Sequence, residues 1–206
     1  ADVPVCTLLS GGLDSSAVTA FAADVFRKRG RKPIRTYSVD YVGNEQYFRP
    51  TEFEPNADAP WAQQIAAFLG TSHRVVTLDV QELAEALVPA VRARDLPGMA
   101  DIDASLLLFC REIKKNATVA LSGEAADEVF GGYPWFFRED ARKADAFPWA
   151  LNAQARFSLW SPEVLKATRA EEYAKERYRQ ALAETPRADW EDEEARRIRE
   201  MSYLNI

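Results

Sequence analysis

Short apolar runs rich in strand formers alternate, over the first 123 residues, with longer stretches whose apolar positions recur at helical spacing. VPVCTLL (residues 3–9) predicts a buried strand. SSAVTAFAADVFRKRG (15–30) predicts a helix with Ala17, Phe21 and Val25 on its apolar face, basic residues in its last turn and Gly30 just beyond. IRTYSVD (34–40) predicts a second strand. YVGNEQYFRPTEFEPN (41–56) follows as a polar-aromatic loop, long enough to be functional or mobile. DAPWAQQIAAFLGT (58–71) predicts a helix capped by Asp58, with Pro60 in its first turn and Gly70 at its end. HRVVTLD (73–79) predicts a third strand. Asp79 and Glu82 then form a capping-box pattern for a helix carrying Leu83, Leu87 and Val91, which Pro89 should kink or end early. After a break at DLPGMADID, ASLLLFCREIKK (104–115) predicts a helix and ATVALSG (117–123) a fourth strand.

Strands alternating with helices predict the α/β class, a doubly wound parallel sheet with helices on both faces. In such sheets ligands bind beyond the carboxyl ends of the strands, so Gly11, Asp40 and Gly123 should lie along one edge. No strand signal follows residue 123. From Glu139 onward the chain is rich in Ala, Glu and Arg and punctuated by Pro148, Pro162 and Pro186, which predicts an all-helical C-terminal part. We therefore expect two domains, 1–138 and 139–206. The last helical pattern reaches the end without a stop signal, as expected of a truncated segment.

Composition narrows the function classes. Of 206 residues, 47% are hydrophobic and 28% charged, with a net charge of −6. An acidic chain is a poor partner for nucleic acid or an anionic membrane. No apolar run is long enough to span a bilayer. Cys6 and Cys110 sit in apolar segments and read as small buried residues of a cytoplasmic protein. One histidine and two distant cysteines make a zinc site improbable.

The candidate chemistry lies in two turns. LLSGGLDSS (8–16) is a tight strand-to-helix connection. Its free backbone amides and the positive end of a helix dipole suit an anion, most often phosphate. Gly11 and Gly12 let the backbone approach that anion. No Gly-Lys-Ser/Thr follows, so this is not a Walker loop, and the dinucleotide fingerprint's third glycine is missing. Serine hydroxyls and amides must make the contacts. Asp14 reads as an N-cap, a Mg²⁺ ligand, or both. LSGEAADEVFGGY (121–133) repeats Ser-Gly followed by acids. Glu124 and Asp127, three apart, would share the face of a helical turn. Ser122-Gly123 should stand beside Ser10-Gly11-Gly12, with Mg²⁺–pyrophosphate between the two loops. Gly131-Gly132-Tyr133 turns the chain away beneath an aromatic lid.

SGGLDSS resembles the pyrophosphate loop of the ATP-pyrophosphatase family. With SVD and SGEAADEVFGGY, the chain resembles the synthetase domain of glutamine-hydrolysing asparagine synthetases and the related β-lactam synthetases. The resemblance implies an adenine nucleotide alpha hydrolase-like fold. It implies that ATP rests its pyrophosphate on Ser10, Gly11, Gly12, Ser15 and Ser16, that Asp14 and Asp127 hold Mg²⁺, and that Leu8 and Val39 flank the nucleoside. It also implies that Ser122 and Gly123 contact the adenylate, and that Glu124 and Asp127 take part in chemistry. The implied reaction forms β-aspartyl-AMP from aspartate and ATP, then asparagine with ammonia from a glutaminase domain of the same parent chain. A homodimer is possible on the same ground.

Three departures from the family pattern stand out. Ala125 replaces a usual glycine. We expect this segment not to carry the N-terminal glutaminase domain with its cysteine nucleophile, and Cys6, inside a strand, not to replace it. We likewise expect the family's downstream segment, bearing an essential lysine and an arginine–lysine–aspartate motif, to lie outside this segment. We therefore expect nucleotide binding with impaired synthesis. The alternatives are a β-lactam synthetase-like adenylating cyclase and a non-catalytic nucleotide-binding module. His73 reads as structural, the five tryptophans as packing residues, Arg49 and Arg74 as solvated, and EDEE (191–194) as the acidic start of a helix.

Overall fold

The computed structural model describes residues 2–51, 56–96 and 98–205. The long loop read over 41–56 and the break after Asp95 are therefore described in part; residues 52–55 and 97 lie outside the described residues. The chain forms two compact units, Ala1–Glu124 and Ala125–Ile206.

The first unit runs β1 (Val5–Leu8), α1 (Leu13–Lys28), β2 (Arg35–Tyr41), α2 (Asn44–Tyr47), α3 (Asp58–Leu69), β3 (Ser72–Leu78), α4 (Val80–Arg94), α5 (Ala100–Lys114) and β4 (Val119–Leu121). All pairings are parallel, in the order β3-β2-β1-β4, with Cys6 opposite Arg35 on one side and Ala120 on the other. Neighbouring strand residues point to opposite faces, which sorts the helices. Thr7 and Leu9 face α1 and α3: Thr19 donates to Thr7 Oγ1 at 2.9 Å, and Leu9 packs on Ala62 and Ala66. Cys6, Tyr37, Val76 and Leu78 face α5 through Phe109 and Ile113, with Leu83 of α4 packed alongside. The sheet is doubly wound, as the alternation of periods predicts.

The capping box forms as read: Asp79 Oδ1 accepts from the Glu82 amide at 2.8 Å, and Glu82 Oε2 from the Asp79 amide at 3.3 Å. Several local expectations are corrected. Pro89 does not end α4, which continues to Arg94. Asp58 is the first residue of α3 and Ala57 its N-cap. Cys110 is exposed; only Cys6 is buried, and burial pushes its thiol pKa up. The α1 face of Ala17, Phe21 and Val25 points outward, with Phe21 77% exposed. Ser15 and Thr19 are the buried residues of α1. Their hydroxyls find partners beneath the helix, so a polar pair occupies the place that periodicity assigned to apolar side chains.

His73 is structural, as read. Its Nδ1 lies 2.8 Å from Thr36 Oγ1 and its Nε2 3.3 Å from Ser38 Oγ, bridging β2 and β3. Burial lowers its pKa below the ordinary 6.5. Arg74 pairs with Glu112, and Arg49 donates to the Gln46 and Phe48 carbonyls.

The second unit is helical among its described residues: α6 (Ala126–Phe130), α7 (Glu139–Lys143), α8 (Ala153–Phe157), α9 (Pro162–Thr168), α10 (Ala170–Glu184) and α11 (Glu193–Leu204). Arg197 of α11 donates to the Arg142 and Ala144 carbonyls, and Met201 is fully buried. Trp135 and Trp149 pack in an aromatic cluster with Tyr133, Phe147 and Tyr178. Trp61, Trp160 and Trp190 are exposed instead, Trp190 beneath the Arg199 guanidinium. Glu193 and Glu194 open α11 behind the Asp192 cap, as EDEE predicted. Among the described residues no helix is long and apolar enough to cross a membrane.

Candidate active site

The strand order reverses at β1. From β1 the chain moves to β2 on one side, and it returns to place β4 on the other. A reversal of this kind splays the connections on either side and opens a crevice beyond the strand ends, between β1 and β4. The turn after β1 carries Ser10, Gly11 and Gly12. The turn after β4 carries Ser122, Gly123 and Glu124.

These two turns touch. A Cβ on Gly123 would lie 2.8 Å from the Ser15 amide nitrogen and 3.0 Å from the Asp14 carbonyl carbon, closer than side chains pack. Glycine at 123 is thus what allows the β4 turn to sit against the first turn of α1. Ser122 Oγ accepts the Glu124 amide at 3.1 Å and closes that turn.

Gly11 meets a second constraint. Its φ of 94° is left-handed, and a Cβ there would lie 2.5 Å from Trp61 Cβ and 2.6 Å from the Ala62 nitrogen. The start of α3 therefore backs the loop. Sequence reasoning missed this support, because Trp61 and Ala62 are some fifty residues away and carry no local signal. Gly12 is different: a Cβ there would meet only Ser10 Oγ, at 3.5 Å, and would otherwise project into open space.

Gly12, not Asp14, is the N-cap of α1; Asp14 stands in the first turn and makes no cap bond. The first helical bond runs from the Ser16 amide to the Gly12 carbonyl at 3.0 Å. The amides of Leu13, Asp14 and Ser15 thus have no intrahelical acceptor and form the positive end of the dipole. Hydroxyls brace the loop. Ser15 Oγ lies 2.9 Å from Ser10 Oγ and 3.2 Å from the Gly12 carbonyl, and Ser10 Oγ accepts the Gly12 amide at 3.3 Å. Ser16 Oγ is buried with no partner. An orphaned hydroxyl, unpaired amides and the open space over Gly12 fit an anionic group.

The other predicted positions fall as follows. Leu8 and Val39 lie on adjacent strands, partly buried against the α5-side core. Asp40 Oδ1 accepts from the Tyr41 amide at 2.9 Å and from Asn44 Nδ2 at 2.8 Å, so it shapes the start of the loop after β2. Glu124 and Asp127 do not share a helical face. Ala125 between them is left-handed, with φ 69°, and α6 begins only at Ala126. Within the second unit, Asp127 lies over Gly132, where a Cβ would meet Asp127 Oδ1, and Tyr133 donates to Glu128 Oε1 at 2.6 Å. Among the described residues no group of three or more His, Cys, Asp or Glu side chains could hold a metal by itself.

A parallel doubly wound sheet with free helix-start amides at its topological switch point places the chain in the class of open α/β proteins whose geometry suits an anionic ligand at that point. Comparison with known proteins narrows that class. The asparagine synthase family model matches residues 1–206, and the chain belongs to this family. It is 48% identical over 205 residues to "Asparagine synthetase [glutamine-hydrolyzing] 3" of Bacillus subtilis, covering all of this chain and 33% of that protein. It is 32% identical over 145 residues to "Asparagine synthetase [glutamine-hydrolyzing] 1" of Arabidopsis thaliana, covering 69% of this chain and 24% of that protein. A Lotus japonicus protein of the same name is 30% identical over 181 residues, covering 76% of this chain and 30% of its own length. The chain spans about a third or less of these relatives.

Proposed function

We propose that the first unit binds ATP as part of an ATP-dependent ligase that makes asparagine from aspartate and ammonia. The observation that carries the reading is the contact of the Gly123 turn with the first turn of α1, which joins two Ser-Gly turns at one switch-point crevice. The relatives are named asparagine synthetases and glutamine-hydrolyzing; aspartate as the acid and ammonia as the nitrogen donor are our reading of those names. The turn at Ser10, Gly11 and Gly12, with Ser15 and Ser16, cradles the pyrophosphate. Leu8 and Val39 border the nucleoside, and Ser122 and Gly123 border the α-phosphate.

In this reading the side-chain carboxylate of aspartate attacks the α-phosphorus, and the bond to the bridging oxygen breaks to release pyrophosphate. Ammonia then attacks the acyl carbon of β-aspartyl-AMP. The acyl–oxygen bond breaks, AMP leaves, and the nitrogen sheds its proton. The loop amides stabilise charge on the departing pyrophosphate, and Glu124 stands by the activated carboxyl. Mg²⁺ ordinarily keeps several waters and takes one or two carboxylates plus substrate phosphates, so within the first unit Asp14 would hold it. It would neutralise the phosphate charge that Asp14 alone would repel. A glutaminase domain in the same polypeptide, a dimer and a cytoplasmic setting belong to the same proposal.

Calorimetric titration of this chain with ATP tests it. The expected result is saturable binding that requires Mg²⁺ and weakens at least tenfold in Asp14→Asn. ATP binding that ignores both the metal and the substitution would remove the metal role, and no binding at all would remove the nucleotide reading.

A further inference from the structure

The serines of the first turn are alike in sequence but not in hydrogen bonding. A hydroxyl has one hydrogen to give and two lone pairs to receive. Ser15 Oγ has three partners: the Gly12 carbonyl at 3.2 Å, the Ser10 amide at 3.3 Å and Ser10 Oγ at 2.9 Å. The carbonyl only accepts and the amide only donates. With its one hydrogen on Gly12, Ser15 must receive both the Ser10 amide and the Ser10 hydroxyl hydrogen. Its bonding capacity is then full, and its residue is 8% exposed. Ser10 Oγ spends its hydrogen on Ser15 and receives the Gly12 amide at 3.3 Å, leaving one lone pair, which an anion cannot use.

One rearrangement frees a hydrogen without moving a heavy atom. Ser15 rotates its hydrogen from the Gly12 carbonyl to Ser10 Oγ, and Ser10 rotates its own outward. The Ser10–Ser15 bond only reverses direction, so the net exchange is the Gly12 carbonyl for a phosphate oxygen, whose charge makes it the stronger acceptor and favours this pattern.

We propose that the Ser15 hydroxyl, unlike the Ser15 amide, is a positioning group that does not contact the nucleotide, and that it sets Ser10 to deliver its hydroxyl hydrogen to the pyrophosphate. The inference rests on the nucleotide reading above and goes beyond it, dividing one motif into a ligand-facing hydroxyl and a proton-relaying post. Ser16, whose buried hydroxyl has no partner, stands outside this relay.

A double-mutant cycle separates the roles. Affinities for inorganic pyrophosphate and for ATP, each with Mg²⁺, are measured for the unmodified chain, Ser10→Ala, Ser15→Ala, the double variant of these two, Ser16→Ala and Ser16→Ala combined with Ser10→Ala, with thermal melting of each. Losing a hydroxyl that donates to a charged group should weaken pyrophosphate binding about 10- to 100-fold in Ser10→Ala. Ser15→Ala should weaken it as well, and the double variant no further than the weaker single one. Ser16→Ala combined with Ser10→Ala should multiply the losses. If Ser15→Ala does not fold, Ser15→Thr, which keeps the hydroxyl, is expected to bind as the unmodified chain does. Multiplying losses for Ser10 and Ser15, or a Ser15→Thr chain that folds yet fails to bind, would overturn the relay while leaving nucleotide binding in place. An unmodified chain that binds neither ligand would overturn the nucleotide reading itself.

Discussion

Gly123→Ala is the sharpest probe of the joined turns, because it adds one methyl where two backbones meet. That methyl would lie 2.8 Å from the Ser15 nitrogen, 3.0 Å from the Asp14 carbonyl carbon and 3.1 Å from Asp14 Cβ. Carbon contacts are comfortable near 3.5–4.0 Å, so the turns must part by roughly 0.5 Å or more. Neither side is the free end of a flexible chain. Overpacking of this kind costs about 1–3 kcal/mol. For a domain of this size, 2 kcal/mol lowers the melting temperature by roughly 4–8 °C. The natural control is Gly12→Ala, whose methyl meets only Ser10 Oγ at 3.5 Å, at an ordinary φ of −66°. It should melt within about 2 °C of the unmodified chain, an ordinary surface effect, yet lose pyrophosphate because the methyl fills the cradle. Thermal melting and pyrophosphate titration of both variants decide the matter. A Gly123→Ala chain that melts and binds unchanged would refute the claim that the two turns are in contact.

Two further outcomes follow from the geometry. Ala125 holds φ 69°, which costs an L-residue about 1–2 kcal/mol, so Ala125→Gly should raise the melting temperature by roughly 2–4 °C after glycine's entropy is counted; no rise would mean the residue is not left-handed in solution. Burial lowers the His73 pKa below 6.5, so the unfolded chain binds the proton more readily; the resulting stability is fully present above pH 6.5 and declines as pH falls below it. Urea unfolding at pH 7.5 and 5.0 should therefore show a larger acid loss in the unmodified chain than in His73→Asn. Equal losses would contradict the buried, neutral imidazole.

The strands, the parallel sheet and both Ser-Gly turns were legible because they depend on local signals: short apolar runs, glycines and capping residues. What the sequence concealed depends on tertiary partners. Phe21 and Val25 have helical spacing, but the sheet-facing side of α1 is held by Ser15 and Thr19, hydroxyls that periodicity does not count. The need for glycine at position 11 comes largely from Trp61 and Ala62, far along the chain. Glu124 and Asp127 have helical spacing in sequence, yet the backbone reverses hand at Ala125, where no glycine announces it. Asp14 looks like a cap because its side chain suits one; the cap falls two residues earlier and leaves its carboxylate uncommitted to the helix.

Amide hydrogen exchange with and without ATP and Mg²⁺ tests the central claim most directly. Nucleotide held at the β1–β4 switch point should slow exchange at Leu13, Asp14 and Ser15 and across Ser122–Glu124 together, and leave the capped start of α4 at Glu82 unchanged. Saturating ATP that slows neither turn, or only one of them, would contradict it.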